Sequence, residues 1–102
     1  AYADYDLITK GEILKIFECP NDSNKLIDLL NKAATNNIVL AILKVGKRWP
    51  WVKEVLKKKQ VLESTILASN IGMHDQFIEK ASLNKSNDLP YFSLLIIRLE
   101  KN

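Results

Sequence analysis

The chain has 102 residues, of which 47% are hydrophobic and 26% charged, and its formal net charge is +3. That length holds one domain at most, with a single modest core, and the composition is ordinary for a folded globular chain. No run reaches the roughly 18 apolar residues of a membrane helix, no charged and then apolar stretch opens the chain as a secretory signal would, and one cysteine makes no intramolecular disulfide framework; the expectation is a cytoplasmic protein with no membrane partner.

The first nine residues, 1–9, read as a linker or cut edge, and residues 10–102 as one domain. Residues 12–18 are short and β-rich, and Pro20 closes them, which predicts a strand. Asn21, Asp22 and Ser23 offer N-cap oxygens. Leu26, Ile27, Leu29, Leu30, Ala33 and Ala34 follow at helical spacing, which predicts a helix of about three turns ending at Thr35-Asn36-Asn37. Residues 38–43 are continuously apolar, as a strand buried on both faces would be. Pro50 suits the first position of a second helix, where its missing N–H costs nothing, with Trp51, Val52, Val55 and Leu56 turned inward. Residues 64–68 predict a third strand and 70–76 a loop. Phe77 and Ile78 begin a further short strand, 84–88 form a polar turn, and 91–99 make the last strand. The sum is an α/β domain with a mixed, mostly buried sheet of four to five strands flanked by helices.

The densest cationic run, Lys57-Lys58-Lys59, falls at the end of the second helix, where it complements the negative end of the helix dipole. It is not grouped with exposed aromatics as in a nucleic-acid surface, so no nucleic-acid partner is expected. His74 is the one histidine and reads as an exposed loop residue. Together with the single Cys19, it falls short of a zinc site or an activated nucleophile. Cys19 is expected as a small buried apolar side chain, and Met73 as a filler of core gaps. Trp49 and Trp51 lie two apart and cannot share a helix face, so one packs inside while the other lies at the surface or an interface. Glycines at 11, 46 and 72 cannot build a phosphate loop. No catalytic residue and no metal ligand is named.

Two segments carry a family resemblance. Val39-Leu40-Ala41-Ile42-Leu43-Lys44-Val45 resembles the buried strand of tetrapyrrole methylases of the C-20 group, which ends in a hydrophobic residue, Lys and Val. Gly72-Met73-His74-Asp75-Gln76, followed by Tyr91-Phe92-Ser93-Leu94-Leu95-Ile96-Ile97-Arg98, resembles the family's Gly-x-x-x-Gln turn and terminal Tyr-Phe-Ser strand. The interval from Leu43 to Gly72 is similar to that of related uroporphyrinogen methyltransferases. The likeness spans about residues 10–99.

The resemblance implies the C-terminal half of a precorrin-2 C-20-methyltransferase, a two-domain enzyme holding S-adenosylmethionine in the cleft between its domains. The implied substrate is precorrin-2 or its cobalt form, on the route to cobalamin. Most polar cofactor contacts would come from a missing N-terminal domain, whose Gly-Pro-Gly-Asp type loop does not occur in this sequence, and the fragment alone would be inactive. A homodimer is implied as well. This half would contribute Leu43 and Gly72 to cofactor binding, largely through backbone atoms. Leu43 stands where the family often has Met, and Met73 where several relatives have Thr. Leu43 would present a backbone carbonyl and N–H where the strand ladder stops pairing, and Gly72 would let backbone approach the ligand without a Cβ. Core packing for Leu43 and a positive-φ turn for Gly72 are the structural alternatives. Two other functions share these residues: a different tetrapyrrole methylase or diphthine synthase half, and a non-catalytic α/β interaction module.

Overall fold

The computed structural model of the protein describes residues 13–99. Five strands and two helices alternate as β1 (Ile13–Glu18), α1 (Ser23–Asn36), β2 (Ile38–Leu43), α2 (Trp49–Lys58), β3 (Thr65–Ser69), β4 (Phe77–Lys80) and β5 (Leu94–Arg98). The linker reading of 1–9, and Glu12 as the first strand residue, lie outside the described residues.

Each helix begins and ends for a local reason. Asp22, in extended backbone, caps α1 by accepting from the Lys25 N–H at 2.9 Å. Asn37 stops it in the left-handed region, returning its own N–H to the Ala33 carbonyl. A short 3-10 turn, Gly46–Arg48, leads into α2, whose second residue is Pro50, and Lys57 and Lys58 occupy its last turn. Trp49 rather than Trp51 takes the inward position: Trp49 is fully buried and Trp51 only partly so. The 3-10 turn starts the helical winding earlier than Pro50 alone suggests, and this rotates Trp49 onto the face of Val52, Val55 and Leu56.

The sheet is mixed, in the order β1-β2-β5-β3-β4. β1 and β2 pair in parallel, while β5 runs antiparallel to both β2 and β3, and β4 antiparallel to β3. The crossover from β2 through α2 to β3 leaves one strand's width, which β5 fills last. Its run Leu95-Ile96-Ile97 is buried, as expected of a central strand.

Alternation divides the sheet's residues between two faces. Leu40 and Ile42 of β2, Leu67 of β3, and Leu95 and Ile97 of β5 join Leu26, Leu30 and Ala33 of α1 and Val52, Val55 and Leu56 of α2 in one core around Trp49. Both helices therefore lie on one face. Val39, Ala41, Ala68 and Ile96 point the other way; they are buried but stand outside that core. No described helix is long and apolar enough to cross a membrane.

Candidate functional site

Because β1, β2 and β3 run in parallel, their C-terminal ends share one end of the sheet with the start of β5. The chain leaves β2 through Lys44 and leaves β3 through Asn70 and Ile71, and it approaches β5 through Tyr91-Phe92-Ser93. These three segments enclose a pocket of about 330 Å³ lined by Leu43, Lys44, Ile71, Tyr91, Phe92 and Ser93. That is the lower end of the size range of small-molecule sites, and the walls are mostly apolar, as such sites generally are. Its position, beyond the carboxyl ends of parallel strands, is where α/β sheets bind ligands.

Hydrogen bonds fix each wall. The Ile71 N–H donates to the Phe92 carbonyl at 2.9 Å, tying the loop after β3 to the segment before β5. Within the loop the Gly72 N–H donates to Gln76 Oε1 at 2.9 Å and Asn70 Nδ2 to Asp75 Oδ2 at 3.2 Å. The Gly-x-x-x-Gln spacing thus has a local cause: Gln76 folds back to satisfy the backbone at Gly72. Residues 91–93, expected as strand, form a turn instead. Pro90 supplies no N–H to a ladder, and the Ser93 hydroxyl donates to its carbonyl at 2.6 Å, so pairing starts only at Leu94. Tyr91 and Phe92 stay exposed and meet edge to face, 4.9 Å between ring centres.

Two residues beside the pocket hold left-handed backbone without being glycine: Lys44 at φ 60° and Asn70 at φ 54°. Asn tolerates that region, but a lysine there is disfavoured by about 1–2 kcal/mol. Surrounding contacts impose it. Val45 next to it is buried, and Arg48 Nη1 donates to the Lys44 carbonyl at 3.3 Å while its Nη2 donates to Asn21 Oδ1 at 3.3 Å. Lys44 Nζ stands 3.4 Å from Glu18 Oε1, with both side chains more than half exposed.

Of the two residues expected at a cofactor, Leu43 lines the pocket and Gly72 follows a lining residue, Ile71, without lining it. One backbone group of each has a partner within the chain. The Leu43 carbonyl accepts from the Cys19 N–H at 2.8 Å, so the ladder between β1 and β2 continues one residue past the strand rather than stopping at Leu43. The Gly72 N–H is taken by Gln76. Gly72 has φ +82° with nothing within 4 Å of where a Cβ would sit, so the turn's conformation requires the glycine and the space above it is open.

No protein-family model matches the chain, and no curated protein matches it. The pocket's chemistry therefore rests on its own residues.

Those residues include Tyr91, Phe92 and Ile71, which sequence reasoning placed on a strand or in an unassigned loop. Pro90 with Ser93 three positions on was the available signal for a turn. His74 is exposed in its loop and Cys19 is buried at the end of β1, as expected. Burial pushes the Cys19 thiol up from its ordinary pKa, with Arg48 acting in the opposite sense. Met73, expected in the core, is exposed instead, because the clasp between Gly72 and Gln76 turns the loop outward. Among the described residues no group of three or more His, Cys, Asp or Glu side chains could hold a metal ion.

Proposed function

We propose that this chain is the C-terminal half of an S-adenosylmethionine-dependent tetrapyrrole methyltransferase, acting at C-20 of precorrin-2 or its cobalt form. One observation carries the reading. The end of the 39–45 strand and the Tyr91-Phe92-Ser93 segment, two of the segments that bear the family resemblance, line one apolar pocket, and Ile71, the residue just before the third, Gly72–Gln76, lines it with them. The Ile71 N–H, just before the Gly72–Gln76 motif, donates to the carbonyl of Phe92, within the Tyr91-Phe92-Ser93 motif.

The pocket suits the apolar part of a nucleoside better than its polar groups. Leu43, Ile71 and Phe92 supply walls, and the exposed Tyr91 and Phe92 rings can cover a flat ring system. When bound, S-adenosylmethionine supplies a methyl group already activated by its sulfonium. The work left to this half is positioning. Holding two reactants in line lowers a barrier by on the order of 7–11 kcal/mol. The Ile71–Phe92 hydrogen bond gives two of the walls the rigidity that positioning needs, and the Gly72–Gln76 bond holds the loop that follows Ile71. No general base is assigned to the residues of this half. Dimerisation and a cleft shared with an N-terminal domain belong to the same proposal.

Two experiments test it. The coding sequence upstream of Ala1 should contain a Gly-Pro-Gly-Asp type loop; its absence overturns the split-domain reading. The complete enzyme, given precorrin-2 and methyl-labelled S-adenosylmethionine, should place the label at C-20 as read by carbon NMR. Methylation of uroporphyrinogen III without methylation of precorrin-2 would transfer the assignment to another tetrapyrrole methylase. No transfer to any tetrapyrrole would overturn the reading.

A further inference from the structure

The pocket has one charged lining residue, Lys44, at the point where the chain leaves β2. Three features of that lysine stand together. Its backbone is held in the disfavoured left-handed region by Arg48 and by the burial of Val45, so the direction in which the side chain departs is imposed by the fold. Its ammonium lies at 3.4 Å from Glu18, longer than a tight charge-assisted hydrogen bond, and both partners are largely open to solvent. Exposed pairs of this kind add little to stability, so the lysine can exchange partners at small cost.

An apolar cavity with a single exchangeable cation at its edge matches a ligand with a flat apolar body and an anionic arm. We infer that Lys44 is a specificity-determining residue that leaves Glu18 to hold a carboxylate of the bound ligand. Glu18 is then a competitor that keeps the cation in place while the pocket is empty. The inference rests on the proposed methyltransferase reading, under which both reactants carry carboxylates: the amino-acid end of S-adenosylmethionine and the side chains of the macrocycle.

The test is a pair of substitutions in the complete enzyme, with the KM of each reactant measured separately. Lys44→Met should raise one KM by about 2- to 5-fold, as loss of a partly exposed charge contact does, with kcat changed far less. The reactant whose KM moves identifies the source of the carboxylate. Glu18→Gln should lower the same KM by about twofold, because it removes the competitor, and Lys44→Arg should retain most of the affinity. Added salt should raise that KM in the wild type and leave it nearly flat in Lys44→Met.

A purely structural Glu18–Lys44 bridge makes the opposite prediction: Glu18→Gln and Lys44→Met would change KM in the same direction. That result overturns the inference, and it can be read from Glu18→Gln even if Lys44→Met folds poorly. Unchanged KM values in Lys44→Met, alongside wild-type methylation of precorrin-2, overturn the inference and leave the methyltransferase reading standing. A wild-type enzyme that methylates no tetrapyrrole overturns both.

Discussion

Gly72 shows how much one residue can decide at this site. Its φ of +82° is closed to most side chains, although the space around it is open. Gly72→Ala should therefore destabilise the fold by about 1–2 kcal/mol through backbone strain alone, measured by urea unfolding. A smaller loss would mean that the turn relaxes to negative φ. Cys19 makes a different residue-scale prediction. Burial raises its pKa, so the neutral thiol is the form the fold favours. The folded pKa lies above the unfolded one. The resulting stability is complete below about pH 9.0, the ordinary value, and is lost as pH rises through the folded pKa. Denaturant midpoints should fall above that pH in the wild type and fall less in Cys19→Ala. Iodoacetamide should also label the native chain much more slowly than the unfolded one at pH 8.

At the scale of the element, α1 depends on a narrow apolar stripe. Leu26, Leu30 and Ala33 are its buried residues, and Leu30 is fully buried against the sheet. Leu30→Ala should cost about 2–5 kcal/mol, the loss of a large core side chain with incomplete collapse around it. Leu83, 65% exposed in the turn after β4, provides the control. Leu83→Ala should stay within about 0.5 kcal/mol in the same chemical melt. β1 follows another logic. It is an edge strand with one neighbour among the described residues, and Ile13, Leu14 and Ile16 on it are exposed.

Among the described residues, exposed large apolar side chains group in two places. One is the exposed β1 edge; the other is the group Met73, Phe77, Tyr91 and Phe92 at or near the pocket end of the sheet. Surface of this kind favours association, and an edge strand is a ready template for it. Light scattering should show the mean mass of the chain rising with concentration. Ile16→Lys, which places a charge on the β1 edge, should return it toward the monomer. A wild-type chain that stays monomeric at high concentration would refute the association and weaken the case for a dimeric parent.

Much of this architecture was readable from local pattern. The buried run at residues 38–43, the helical stripe from Leu26 to Ala34 and the cap residues at Asp22 and Asn37 act over a few positions, and each appears where its own chemistry puts it. Leu43 at the end of a strand and Gly72 in a turn were legible for the same reason. Tertiary structure alone decided the rest. Which tryptophan faces inward depends on a 3-10 turn that rotates α2 before Pro50. That β5 lies between β2 and β3 depends on the width left by a helical crossover, which no short window of sequence contains. The pocket needs three loops, distant in sequence, at one end of the sheet, and its lining by Lys44, Ile71 and Phe92 follows from strand order. Local propensities act over neighbouring residues, whereas a cavity is the space left between segments that only the packed sheet brings together.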